Sequence, residues 1–437
     1  MKIFFLLLIL FIVTSSHSSS LSLHEAQQYL FENNHDVRTA TLERDYASLK
    51  LYEAKAAWLP SLDIKGSYSW MTEKNRIVMS FPEGIPGIGG QSFEEEVGTQ
   101  DRTELGFDVT YPLFTGFTRQ HRISAQREGI ALQSALLEGT KNRLSLQLGI
   151  LFLQWQLSIH ETTLYELLCR QLSTRIEQLE YQFEAGTTIK SRLLEVKARK
   201  QLAETDLVAG LQKADSLRFE IASFIGMDVD AITTPDTLHE PALFTMEDTI
   251  RPSERSRPEI DALDKKIKQT GQMKRIIRNR HIPTLAALAG YRYGRPGLGM
   301  GTDSFMGYGL LGLQLSWNLF SGFKGRAIEQ QLQCQLDMIA VKKDQAISTF
   351  NKEYKLALQQ LDRINQRLIA VDEAVQAAEA LVADLTVCVE AGTATQADYL
   401  DALVGVTKTR LTRESIRTAG KIATLKTRFA AGEMLSY

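Results

Sequence analysis

Four stretches of the chain alternate apolar and polar residues with a period of two. In Ser61 to Trp70 the apolar set is Leu62, Ile64, Tyr68 and Trp70, and in Thr103 to Tyr111 it is Leu105, Phe107, Val109 and Tyr111. In Thr284 to Tyr293 it is Leu285, Ala287, Ala289, Tyr291 and Tyr293, and in Tyr308 to Trp317 it is Leu311, Leu313, Leu315 and Trp317. Successive strand side chains point to opposite faces, so each segment predicts a strand with one apolar face, about the 9 to 11 residues of a tilted membrane strand. Aromatic residues at the strand ends suit the two membrane interfaces. Alternation alone fits a soluble sheet with one wet face equally well.

The pattern elsewhere is helical. From about Thr118 to Phe183 and from Lys324 to Val389 few residues interrupt a helix, and at 1.5 Å per residue each rod would reach roughly 100 Å. In the second rod Ile364, Leu368, Val371, Val375, Ala378, Val382, Leu385 and Val389 follow steps of four and three, a heptad seam. The first rod carries Tyr165, Leu168, Leu172, Ile176, Leu179 and Phe183, whose extra step of four relaxes the supercoil. Each rod stops at Ala-Gly-Thr (Ala185 to Thr187, Ala391 to Thr393), since glycine past a helix end is a common stop. Further helices are predicted over Ser191 to Ile225 and Gln396 to Arg428, which makes two helical hairpins. Shorter helices, Ser22 to Trp58 and Pro258 to Arg280, precede the two pairs of strands.

These elements form a duplicated helix-strand-strand-helix unit. Tyr111-Pro-Leu-Phe-Thr-Gly-Phe117 returns as Trp317-Asn-Leu-Phe-Ser-Gly-Phe323, and Glu184-Ala-Gly-Thr187 as Glu390-Ala-Gly-Thr393, both pairs 206 positions apart. Upstream, Leu59-Pro60 matches Ile282-Pro283 and Asp36-Val37 matches Glu259-Ile260, 223 positions apart. The excess of 17 falls between Pro60 and Tyr111, which predicts a solvent-facing insertion over Met71 to Arg102. The domain expectation is therefore a first repeat over 21–225, a connecting segment over 226–256 and a second repeat over 257–437.

Charge and composition narrow the function classes. With 50 basic and 52 acidic residues the net charge is −2, and no basic cluster suggests nucleic acid as a partner. Lys2, the apolar run Ile3 to Val13 and the following small residues read as a secretory signal over 1–20, too short to span a bilayer. Cys169, Cys334 and Cys388 are odd in number and fall in helices, which reads as buried free thiols rather than disulfides. The histidines have no metal-ligand spacing, and Gly297 to Gly301 is a turn between strands rather than a phosphate cradle. No cofactor and no enzymatic activity are expected.

The ordered set of motifs resembles the TolC family of outer-membrane efflux and secretion channels. The matches are Leu21-Ser-Leu-His-Glu-Ala26 running to Asn33-Asn-His-Asp-Val37, Trp58-Leu-Pro60, the two Gly-Phe corners after Tyr111 and Trp317, and the turns at 185–187 and 391–401. The resemblance implies a homotrimer, each copy giving four strands to a 12-stranded barrel in outer-membrane lipid, continued by a long α-helical barrel in the periplasm of a Gram-negative bacterium. It implies a periplasmic adaptor (membrane fusion) protein, docking at the turn residues Gly186, Thr187, Gly392 and Thr393, and an inner-membrane RND, ABC or MFS transporter. It also places Asp398 and Asp401 at the narrow end of the tunnel as a gate and selectivity ring. On its own, the Thr395 to Asp398 spacing reads as a helix capping box. Where the family prototype has an arginine and an acidic residue that tie its coils shut, this chain has Ala394 and Arg192; Arg192 and Glu195 are thus candidate gate partners. Set against this channel is a secreted coiled-coil scaffold or adhesin whose strands form a soluble sheet.

Overall fold

The computed structural model describes residues 21–84, 86–88, 90, 92–232, 234–235, 257–295 and 304–437. The expected signal, most of the connecting segment and the Gly297 to Gly301 turn lie outside them.

The element order is α1 (Leu23–Asn33), α2 (His35–Ala56), β1 (Ser61–Trp70), β2 (Asn75–Ser80), β3 (Ser92–Val97), β4 (Asp101–Phe114), α3 (Thr118–Glu184), α4 (Lys190–Ile225), α5 (Pro258–Arg278), β5 (Thr284–Arg295), β6 (Met306–Ser316), α6 (Lys324–Glu390) and α7 (Gln396–Ala431). The two long rods have 67 residues each. The chain divides into two compact units. One comprises residues up to Glu43, Ser134–Ala262 and Lys343–Tyr437; the other comprises Arg44–Gln133 and Leu263–Lys342.

Several elements depart from the sequence expectation. The helix predicted over Ser22 to Trp58 is two, because Asn34 is extended. Its Oδ1 accepts from the Asp36 amide at 2.9 Å, opening the next helix, while its Nδ2 donates to the Phe224 carbonyl. The insertion predicted as loop contains the hairpin β2–β3, held by Arg76 to Glu94 and Glu96 and by the edge-to-face pair Phe81–Phe93. Pro112 lies inside β4 rather than past its end. β1 pairs with β4 only as far as Thr110, and the β4–β5 register shifts between Pro112 and Phe114, so no ladder bond is asked of the missing amide. Trp317 sits just beyond β6, where its indole Nε1 donates to the His281 carbonyl at 2.8 Å. The cysteines are not fully buried: Cys334 is exposed, Cys388 is half-buried, and Cys169 is half-buried against the apolar cluster around Leu168 and Leu172.

Among the described residues the helical unit has three apolar clusters. The largest joins Leu23, Ala26 and Leu30 of α1 to Leu144, Leu148, Phe152 and Trp155 of α3 and to Ile221 and Ile225 of α4. The chain end is strapped to the same place. Gln27 donates to the Leu435 carbonyl and accepts from the Tyr437 amide, and Asn142 bonds Glu433 and Leu435. The heptad seam of α6 buries Ile364, Leu368, Val371 and Val375, with Ile364, Leu368 and Val371 packed beside Ile416 and Ala423 of α7. Gly210 of α4 lets Thr162 of α3 approach, because a Cβ there would lie 3.0 Å from the Thr162 methyl.

In the sheet-bearing unit, β1, β4, β5 and β6 form one antiparallel sheet in that order. The corner between β4 and α3 needs left-handed backbone at Gly116 (φ 59°) and Phe117 (φ 61°), and the second repeat reproduces it at Gly322 and Phe323. Arg119 closes the first corner. It is only 6% exposed, lies 4.2 Å from the Trp58 ring, and donates to the Ala57 and Pro112 carbonyls and to Thr115 Oγ1. Arg119→Met keeps most of the volume and leaves those part-buried acceptors without their donor, a cost of about 1–3 kcal/mol. We expect a lower unfolding temperature in detergent than for Lys324→Met, a variant at the far side of the repeated corner.

Candidate functional site

Two regions carry the predicted functional residues, and each is taken by itself. In the sheet, the register brings the alternating apolar positions to a single face. Leu62 pairs with Val109, Ile64 with Phe107, Phe107 with Tyr291, and Ala287 and Ala289 with Leu313 and Leu311. Leu62, Ile64, Leu311, Leu313 and Leu315 are strongly exposed, so this face has no protein cover. Large exposed apolar area of this kind marks a lipid or protein contact. Among the described residues no helix is long and apolar enough to cross a membrane.

The opposite face is charged. Asp108 on β4 accepts from Lys65 of β1 at 3.1 Å and from Arg292 of β5 at 3.0 Å, and Arg292 also pairs with Glu104. The ladder ties three strands across the polar side, where a water-filled lumen would keep the charges solvated. Sequence reading put Lys65, Glu104 and Asp108 on the polar phase. It missed their union through Arg292, because only the strand register makes them neighbours.

At the helical ends, the two Ala-Gly-Thr turns are twins. Gly186 (φ 72°) and Gly392 (φ 77°) take the left-handed conformation that ends α3 and α6. The Thr187 amide and hydroxyl both donate to the Gln182 carbonyl, and the Thr393 amide and hydroxyl both donate to that of Cys388. Gly186, Thr187, Gly392 and Thr393 are all exposed, and a Cβ at either glycine would meet nothing within 4 Å.

Asp398 and Asp401 lie one turn apart at the start of α7, both exposed, beside the buried Leu400 and Leu403. Asp398 completes a capping box: its Oδ2 accepts from the Thr395 amide at 3.1 Å and hydroxyl at 2.6 Å, and its amide donates back to Thr395 Oγ1. Those bonds hold its carboxyl below the usual aspartate range. Asp401 accepts from Arg199 of α4 at 2.6 Å. Arg192 and Glu195, the candidate gate partners, form no hydrogen bond or ion pair with either aspartate among the described residues; the residue that pairs with Asp401 is Arg199, two turns further along α4. Three more contacts brace these helices. Lys197 pairs with Glu180 at 2.7 Å, Arg410 with Glu379 at 2.7 Å, and Arg175 of α3 donates to Gln396 Oε1 at the start of α7 with its guanidinium 5.6 Å from the Tyr399 ring. No periodicity flags Arg175 or Arg199, because their partners are 221 and 202 positions away. Among the described residues no group of acidic, histidine and cysteine side chains could hold a metal ion.

The cap makes the start of α7 sensitive to acid. Because the folded Asp398 pKa is depressed, its contribution is present above the ordinary aspartate value of 3.8 and is lost as pH falls through the lower folded value. Thr395→Ala should cost about 1 kcal/mol locally. Hydrogen exchange over 396–400, corrected for intrinsic rate, should rise in that variant at neutral pH and in the parent only in strong acid.

Comparison with known proteins agrees with this geometry. A family model described as "Outer membrane efflux protein" matches residues 26–226 and 250–433. Among solved structures the chain resembles the channel protein CusC at 15% identity, with a TM-score of 0.74 over 94% of this chain and 92% of that one. It resembles the outer membrane protein VceC of Vibrio cholerae at 15% identity, TM-score 0.72, over 94% and 96% of the two chains. It also resembles the open state of the Neisseria gonorrhoeae MtrE outer membrane channel at 16% identity, TM-score 0.72, over 95% and 89%. No individually curated protein sequence matches significantly. Nothing in these matches supports a secreted scaffold or adhesin. The duplicated unit, the open four-stranded sheet with one apolar face and the paired helical hairpins are those of an outer-membrane channel, and the chain belongs to the outer membrane efflux protein family.

Proposed function

We propose that the protein is the passive exit duct of a tripartite export machine, assembled as a homotrimer. A periplasmic adaptor at the hairpin turns would couple it to an RND, ABC or MFS transporter in the inner membrane. One observation carries this reading: an antiparallel sheet with an uncovered apolar face and an ion-paired polar face ends in two unpaired edge strands, β1 and β6. Unpaired amides in lipid cost several kcal/mol each, so such a sheet is viable there only when further copies close it into a barrel. Four strands per copy and three copies give the barrel of 12 that the family resemblance implies. The chemistry offers conduction and selection, with the driving force supplied by the transporter.

In this reading Asp398 and Asp401 form the selectivity ring. Symmetry repeats their carboxylates around a narrow axis, and the summed field raises the local cation concentration. Each aspartate already has a partner in its own chain, which refines the test. In planar bilayers, Asp398→Asn with Asp401→Asn should abolish cation preference and block by multivalent cations from the periplasmic side. Arg199→Ala, which frees the Asp401 carboxylate, should strengthen both. Unchanged selectivity in both variants would sink the ring and leave Asp398 as a helix cap alone.

The positive φ of the turn glycines already explains them as helix stops. Asparagine tolerates left-handed backbone and adds an exposed side chain. Gly186→Asn and Gly392→Asn should therefore leave folding and membrane insertion intact while lowering co-purification with the adaptor. Full retention of the complex by both variants would remove the turns from the docking surface.

A further inference from the structure

Both repeats end their strands in the same Gly-Phe corner, but they fill it differently. In the first, Arg119 occupies the corner, its guanidinium over the Trp58 ring and bonded to the Ala57 and Pro112 carbonyls and to Thr115 Oγ1. Shifted by the repeat offsets, Trp58 becomes His281, Ala57 becomes Arg280, Pro112 becomes Asn318 and Thr115 becomes Ser321, while Arg119 itself becomes Gly325. The frame is kept and its filling is gone. A Cβ at Gly325 would meet nothing within 4 Å, and a cavity of about 440 Å³ opens there between the end of α5 and the start of α6. Both walls come from one chain, so no second copy is needed to form it: Lys274 of α5 donates to Gln333 Oε1 of α6 at 2.9 Å, and Trp317 Nε1 to the His281 carbonyl.

The lining of this cavity combines two chemistries. Arg278, His281 and Arg326 bring nitrogen donors, and Leu319, Phe320 and Phe323 bring apolar side chains that are strongly exposed. Neither guanidinium has a hydrogen-bond or ion-pair partner among the described residues. The acidic Glu329 on the wall is paired with Lys274 at 3.8 Å. The charge belongs to the second repeat alone, since Arg280, Lys324 and Arg326 stand where the first has Ala57, Thr118 and Gln120. A groove that gains cations where it loses its filling is suited to an anion, and the uncovered aromatic and aliphatic side chains beside it to an apolar tail. In the channel reading the strands cross the bilayer, which puts this corner, where β6 gives way to α6, at the level of the periplasmic headgroups.

We propose that the corner between α5 and α6 is a binding site for an anionic phospholipid of the periplasmic leaflet. Arg278 and Arg326 hold the phosphate, each able to offer it two N–H groups, His281 and Ser321 supply further donors, and the acyl chains run over Leu319, Phe320 and Phe323. A zwitterionic lipid brings an ammonium into the same cationic cavity and binds more weakly, because like charges repel. The first corner cannot take such a ligand, since Arg119 already fills the equivalent space. The proposal rests on the membrane-channel reading and adds a lipid ligand confined to one of the two repeats.

The test uses the full-length protein, delipidated in detergent, with native mass spectrometry reading the lipid it retains. Phosphatidylglycerol is offered against phosphatidylcholine and against inorganic phosphate. The parent should retain phosphatidylglycerol over phosphatidylcholine, and Arg278→Gln with Arg326→Gln should weaken that retention about tenfold through the loss of charged hydrogen bonds. Gly325→Leu, which fills the cavity without changing charge, should weaken it as well. Lys342→Gln with Lys352→Gln, an equal charge change at exposed positions further along α6, should not. Either cavity variant decides where the other fails to assemble. Equal retention of the two lipids by the parent, retention unchanged in a cavity variant, or displacement of the lipid by inorganic phosphate at equal concentration overturns the site. A parent that conducts in planar bilayers while failing these tests leaves the channel reading intact, whereas one that neither oligomerises nor conducts overturns that reading itself.

Discussion

A β-sheet in lipid must hydrogen-bond every backbone amide within protein, because no water is there to replace a lost partner. Four strands in one chain satisfy that demand along three seams and leave it unmet along the outer edges of β1 and β6. The rest of the sheet-bearing unit follows from this constraint. Its apolar residues lie on the face that lipid can cover, and Lys65, Glu104, Asp108 and Arg292 are paired among themselves on the other. The family match supplies the same conclusion independently, since outer-membrane efflux proteins are channels rather than scaffolds.

The helical unit answers a different demand, that of holding very long helices in place without a globular core. Heptad seams bury a line of small and branched side chains, and ion pairs brace their flanks. Near the turns the apolar contact includes Leu172, Leu179, Leu193, Val196, Leu400 and Leu403, and Arg175, Arg199 and Lys197 join helices across it. Surface pairs such as these contribute little stability individually.

Much of the architecture was legible in the residue order. The four strands, the long rods and the Gly-Thr turns came from periodicity and from stop signals, since strand alternation and heptads are local properties of sequence. Reading failed where a longer-range contact overrode local composition. The Gly- and Pro-rich insertion concealed β2 and β3, which form because Arg76 meets two glutamates across the hairpin. Asn34 broke a continuous helical pattern because its side chain caps the next helix and bonds Phe224, nearly two hundred residues on. The thiols of Cys169, Cys334 and Cys388 looked buried in sequence, yet Cys334 is exposed and the other two are only half-buried, because a helical residue's depth depends on which neighbours pack over it.

The sequence by itself determined the element types, the repeat and the phase of each strand, because these depend on neighbours a few residues apart. It also placed Asp398 and Asp401 on one helical face. Only tertiary structure decided which charges meet: Arg292 with Glu104 and Asp108, Arg199 rather than Arg192 with Asp401, and Arg175 with Gln396. Ion pairing depends on distance in space, and strand register and helix packing set that distance between residues some two hundred positions apart.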